Sequence, residues 1–228
     1  MSLILNIDTA TEQAQVSIAR DGSVLGAQYN QSQKDHASFL QVAIQQLAKE
    51  TGITVNMLDA VAVTAGPGSY TGLRVGMASA KGLCFALNKP LITLNTLVVW
   101  AASAISSSGY APISPTTLLC PMIDARRMEV FTAVYNKQLN IVMPSCAMIL
   151  DENSFTSLLL NNNILFFGSG AQKWKALCPH SKALFISVAI LPEAMSKLSN
   201  QLYTAHQFTE LADSQPLYLK EFQDGIKK

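Results

Sequence analysis

Apolar and polar positions change rhythm repeatedly within the first hundred residues. Residues 3–8 are an apolar run closing on Asp8, and residues 15–19 alternate polar with apolar before the turn at Asp21 and Gly22 leads into residues 23–29. This pattern predicts an antiparallel meander of three strands. The period then lengthens: Leu40, Ala43, Ile44, Leu47 and Ala48 recur at helical spacing across residues 36–51. Gly52 is placed to end that helix, and Asp35 or Ser32 to cap its start. Residues 60–64 read as a buried strand, residues 71–87 as a helix and residues 90–94 as another strand. The predicted order is β-β-β-α-β-α-β.

Residues 101–115, rich in Ala, Ser and Pro with Gly109 among them, read as the end of a helix followed by a linker. A second unit then begins. Residues 118–124 repeat an apolar strand ending in Asp, Asp124, and residues 129–135 form a second strand before a turn at Asn136 and Lys137. Farther on, residues 163–167 predict a short strand ending at Gly168, Ser169 and Gly170. Residues 183–187 predict another strand, residues 192–206 a helix and residues 216–219 an extended tail. A three-strand hairpin followed by alternating helices and strands is the unit of the actin-like ATPase (ASKHA, ribonuclease H-like) architecture. The expected fold is α/β, with two lobes that each hold a mixed sheet. The expected lobes are residues 1–105 and a degenerate copy in residues 106–228, whose last helix can pack back on the first lobe.

Composition narrows the partners. The 228 residues carry 16 Lys and Arg against 15 Asp and Glu, a formal charge of +1. That balance lacks the concentrated basic surface of a stand-alone RNA binder, so contact with RNA is expected only through another protein. Charged residues make up 14% of the chain and hydrophobic ones 49%, against a usual charged fraction of about 25%. Exposed apolar surface, and hence an interface, is expected. Cys84, Cys120, Cys146 and Cys178 form no CxxC pair and are expected to be buried thiols in a reducing compartment. The first residues lack a basic stretch and meet Asp8 too early for a signal peptide, and no apolar run reaches membrane-spanning length. A cytoplasmic protein is expected, without membrane contact.

Two groups of residues carry candidate chemistry. Asp8 at a strand end, with Thr9 and Thr11, offers a carboxylate and hydroxyls to a metal-bound water or a phosphate, or else satisfies local backbone groups. Gly66, Pro67, Gly68 and Ser69 lead into a helix whose N-terminal N–H groups could surround an anion. No GK[ST] follows, so this is not a P-loop, and a tight turn that needs glycine explains it equally. Within that helix Gly72, Gly76, Ala80 and Cys84 stand at successive i, i+4 positions and draw a stripe of small side chains. Such a stripe admits a close neighbour, either another chain or this protein's own sheet. His36, His180 and His206 are isolated, with no metal-ligand spacing. Arg126 and Arg127 could bind a phosphate or simply solvate a hairpin.

Taken together, the strings at 8–11, 66–74, 124–131, 167–170 and 216–219 resemble the bacterial TsaB (YeaZ) family over nearly the whole chain. The GPGSYTGLR string at 66–74 is the most specific of them. The resemblance implies a noncatalytic paralogue of TsaD, acting in the formation of N6-threonylcarbamoyladenosine at position 37 of tRNAs that read codons beginning with A. It implies TsaD and the ATPase TsaE as partners, tRNA contact only within the assembly, and a homodimer in isolation. It implies no cofactor of the chain's own, with ATP or ADP held in the complex. TsaD-like enzymes hold a metal through a histidine pair after the strand that follows the glycine helix, whereas this chain has Thr96 and Trp100 there. By the same resemblance the docking surface is formed by the helix carrying Gly72, Leu73, Arg74, Gly76, Ala80, Leu83 and Cys84. The helix of His36, Ser38, Leu40 and Gln41 joins it. The rival readings are an actin-like ATPase or phosphotransferase using Asp8 and the turn at 66–69, and a metal-dependent, glycoprotease-like peptidase.

Overall fold

A computed structural model of the chain describes residues 1–30, 35–107 and 116–220. The candidate cap Ser32 and the linker residue Gly109 lie outside them. Leu3–Asp8 (β1) is buried at every position and forms the middle of a five-stranded sheet. It pairs antiparallel with Ala14–Arg20 (β2), which pairs with Ser23–Asn30 (β3). On its other side it pairs parallel with Ala60–Gly66 (β4), beyond which lies Leu91–Asn95 (β5). Strands covered on both faces read as continuous apolar runs, which is why β1 and β4 do not alternate.

His36–Thr51 (α1) and Tyr70–Leu87 (α2) cover one face, where Leu3, Leu5 and Ile7 meet Leu40, Leu47, Met77 and Ala80. Asp35 stands at the α1 cap position, but its side chain caps nothing. On the other face Ile4, Ala62 and Ile92 meet Val99 of Thr96–Ser106 (α3) and Met195 of Pro192–Thr204 (α6). Helix α6 is therefore packed on the first sheet although it follows the second, and Asn6 Nδ2 donates to Ser196 Oγ at 3.3 Å.

The second sheet repeats the plan. Leu118–Asp124 (β6), Glu129–Tyr135 (β7), Ile141–Ile149 (β8), Ile164–Phe167 (β9) and Ala183–Phe185 (β10) lie in the order β10-β9-β6-β7-β8. Read outward from β6, the pairings match those of β1 in the first sheet: antiparallel to β7 and on to β8, parallel to β9 and on to β10. What has degenerated is the crossovers, now only Thr156–Leu159 (α4) and Ala171–Lys175 (α5). Their place is taken by an aromatic cluster in which Trp174 lies 4.6 Å from Phe166 and 5.1 Å from Phe155, centroid to centroid.

Two elements are not delimited in the sequence. Strand β8 carries Pro144 and is largely solvent-facing, so it shows neither clean alternation nor a buried run; proline is tolerated because β8 is an edge strand. The helix whose end is expected within residues 101–115 runs from Thr96 to Ser106, a start the sequence does not mark, with Asn95 Oδ1 accepting from Leu97 N at 2.8 Å as an N-cap. Helix α3 is buried almost all round between the two sheets, so it has no polar face to mark its period.

Candidate functional site

The candidate phosphate residues come together at the end of β1, but they bond to one another. Asp8 is 1% exposed, and its Oδ1 accepts from Ala10 N at 3.0 Å and from Thr64 Oγ1 at 2.8 Å. Burial holds this carboxyl above the ordinary aspartate range despite those two hydrogen bonds and the nearby His36. Thr9 is buried and donates to the Gly72 carbonyl at 2.7 Å. The glycine turn is pressed onto the loop after β1: Ser69 N donates to Ala10 O at 2.7 Å, and a Cβ on Gly68 would overlap that same carbonyl. Gly68 is thus required by the close approach of another backbone. Ser69 Oγ accepts from Gly72 N at 3.3 Å and caps α2. Thr11 is half-buried; its hydroxyl donates to Gln13 O, and its carbonyl lies 3.0 Å from His36 Nε2. Gly66, at φ 118°, faces Leu217 O of the tail.

The stripe of small residues points inward. Gly72, Leu73, Gly76, Ala80 and Cys84 are buried against the chain's own sheet, as are His36 and Leu40 of α1. A Cβ on Gly76 would overlap Thr9 Oγ1, so the close neighbour that the stripe admits is the β1 loop, and these residues do not form an exposed docking face. Leu83 is half-buried, and of the expected interface residues on α2 only Arg74 is exposed. Arg74 stacks on Tyr70, 4.4 Å from its ring centroid, and its Nε donates to Tyr218 Oη at 3.2 Å. The surface that α1 and α2 do present, side by side, is Ser38, Gln41 and Val42 on one and Arg74, Ala78, Gly82 and Phe85 on the other. Phe85 is 82% exposed and Val42 62%.

In the second lobe Asp124 is exposed, accepts from Arg126 N at 2.6 Å and pairs with Lys173 at 2.7 Å. Thr96 and Trp100 are buried one turn apart on α3. The Trp100 ring fills the space beside Gly168, where a Cβ would lie 2.5 Å from the ring. Among the described residues no three His, Cys, Asp or Glu side chains gather as a metal site would need, and no helix is long and apolar enough to cross a membrane. Sequence reasoning missed the contribution of the tail. Leu217 N donates to Ala65 O at 2.6 Å and Lys220 pairs with Glu129 at 2.5 Å, so the tail joins the first lobe to the β6–β7 hairpin. Its only sequence signal is the Pro-Leu-Tyr-Leu string at 216–219.

The family described as TsaD: tRNA N6-adenosine threonylcarbamoyltransferase matches residues 24–212. The chain belongs to that family. The TsaB tRNA threonylcarbamoyladenosine biosynthesis protein of Escherichia coli is 28% identical over 95% of this chain and 94% of its own length. The TsaB protein of Bacillus subtilis is 30% identical over 64% of this chain and 62% of its own. A solved Pseudomonas aeruginosa structure, described as similar to peptidase YeaZ, shares the fold with a TM-score of 0.83 at 23% identity. It covers 96% of this chain and 100% of that one. Within that family the chain is thus similar to TsaB (YeaZ) proteins. The end of β1 is closed by its own hydrogen bonds, Asp8 Oδ1 accepting from Ala10 N and Thr64 Oγ1. Two surfaces stay open: the outer face of α1 and α2, and the mouth of the cleft beside the tail.

Proposed function

We propose that this chain is a noncatalytic cytoplasmic subunit that binds and supports a TsaD transferase. The product of the assembly is N6-threonylcarbamoyladenosine at position 37 of tRNAs reading codons that begin with A. The observation that carries this reading is the outer face of α1 and α2, where Phe85 and Val42 stand exposed among small and uncharged side chains with Arg74 at one end. Exposed apolar surface of that kind fits a protein partner. The same face serves a second copy of the chain when TsaD is absent. TsaE and tRNA are met only in the assembly, which also holds ATP or ADP, consistent with a formal charge of +1. A noncatalytic role is supported by Asp8, whose buried carboxyl already accepts from Ala10 and Thr64, and by Trp100, whose ring packs beside Gly168 at the position where the family resemblance implies a metal-ligating histidine.

Co-purification with TsaD tests the reading. Phe85→Glu combined with Val42→Glu should lower recovery of the complex at least tenfold while the thermal midpoint of the isolated chain stays unchanged. Full recovery would remove the docking claim. ATP turnover by the isolated chain that disappears in Asp8→Ala would instead establish the phosphotransferase reading.

A further inference from the structure

The mouth of the cleft between the two lobes holds a cavity of about 320 Å3, within the range of small-molecule sites. Its walls come from segments far apart in the chain: Tyr70 at the start of α2, Arg126, Arg127 and Phe131 of the β6–β7 hairpin, and Tyr218 and Lys220 of the tail. The geometry points to this cavity as a binding site for a phosphate-bearing ligand with a flat, apolar body.

Charge gives the first argument. Arg126 and Arg127 are exposed, and neither guanidinium has a hydrogen-bond or ion-pair partner among the described residues. The nearby acids are already engaged, Glu129 by Lys220 and Asp124 by Lys173. Two positive charges at the cavity are therefore unbalanced, on side chains whose planar forks match phosphate oxygens. Backbone conformation gives the second. Arg126 and Arg127 both lie in the left-handed region, at φ 72° and 49°, which glycine or asparagine adopts more cheaply. The hairpin holds them there through Arg126 N to Asp124 Oδ1 and Glu129 N to Arg126 O, at 2.6 and 3.0 Å. Strain of this kind concentrates at ligand clamps. The rings give the third: Tyr70 and Tyr218 lie 5.2 Å apart at 35° and, with Phe131, supply flat apolar walls.

This site lies outside the closed position beside Asp8, and it shares neither Phe85 nor Val42 with the proposed docking face, so it stands or falls independently of TsaD binding. The flat body and phosphate could belong to a free mononucleotide or to the 5′ end of an RNA strand. Calorimetric titration of the full chain with inorganic phosphate, AMP and a 5′-phosphorylated single-stranded RNA tetramer separates them. AMP is expected to saturate at least tenfold more tightly than inorganic phosphate, and the affinity should fall as salt rises. Arg126→Asn with Arg127→Asn preserves a residue at ease in the left-handed backbone; it should weaken AMP at least tenfold with no change in thermal midpoint. Tyr218→Ala should weaken AMP and leave inorganic phosphate unchanged. Binding of the tetramer but not AMP, lost in the double variant, would support the site with RNA as the source. Absence of saturable binding by any probe, or binding unchanged in the double variant, would overturn it.

Discussion

Thr9 and Gly72 grip one another: the Thr9 hydroxyl donates to the Gly72 carbonyl at 2.7 Å, while the place of a Gly72 Cβ is filled by the Thr9 carbonyl oxygen. The glycines of α2 are consequently divided by what they face. Gly72→Ala and Gly76→Ala each push the helix away from the β1 loop and should destabilise the fold by about 2–4 kcal/mol in urea denaturation. Gly82 is also inside the helix, yet nothing lies within 4 Å of its would-be Cβ. Gly82→Ala should stabilise by up to about 1 kcal/mol through helix propensity alone. Equal effects at the three positions would refute this division. Loss of TsaD from a Gly76 variant would report lost folding, not a lost contact.

Asp8 gives a pH signature. Because burial raises its pKa in the folded state, the native chain binds this proton more tightly than the unfolded chain. Stability from this group is fully present below the ordinary aspartate pKa and is lost as pH rises through the window above it. Asp8→Asn keeps an acceptor for Ala10 N and Thr64 Oγ1 and removes the titration. Its urea midpoint, followed from pH 4 to 7.5, should therefore gain on the parent as pH rises. Two parallel profiles would show that burial does not raise the Asp8 pKa.

The cysteines separate by depth. All four are free; Cys84 and Cys120 are buried, while Cys146 and Cys178 are half-buried, shallower than a uniform set of core thiols. Burial pushes the Cys84 thiol up to about 11 and raises Cys120 further. At pH 8 a thiol reagent should modify Cys146 and Cys178 in the native protein, with the other two following only on unfolding. Mass mapping of the labelled peptides checks the order, and early labelling of Cys84 would contradict it.

How legible each part was follows from what each residue faces. The first lobe could be read because its strands are buried and its helices have one apolar face, as Leu40, Ile44 and Leu47 show. Helix α3 was hard to place because it is apolar all round, and β8 because it is a solvent-facing edge strand containing Pro144. The loops at 8–11 and 66–69 do meet, as strand ends and glycine turns mark loops that converge. Their closure was not visible, because the hydrogen bond from Thr64 to Asp8 spans 56 residues. The orientation of the small-residue stripe was undetermined for a related reason: a glycine pattern shows that something comes close, without saying which chain supplies it. The tail reads as an extended string without its bridging role, because a few extended residues acquire that meaning only from Ala65 and Glu129, which they bridge.

Trp100 and Gly168 offer a test of whether the cleft interior is packed core or a vacated site. Gly168 has φ 98°, and a Cβ there would meet both Met122 O and the Trp100 ring. Trp100 is 7% exposed within a cluster that includes Leu97, Leu119, Ile123 and Phe167. Trp100→Ala should therefore cost about 3–5 kcal/mol, the range for emptying a large aromatic from a core. Gly168→Ala is strained by its backbone and by the ring, but only the ring part is relieved when Trp100 is removed. In a double-mutant cycle the Gly168→Ala penalty should then shrink by at least about 0.5 kcal/mol in the Trp100→Ala background. Additive penalties would mean that the ring does not press on Gly168, and a neutral Trp100→Ala would mean that this part of the cleft is open enough to admit a ligand.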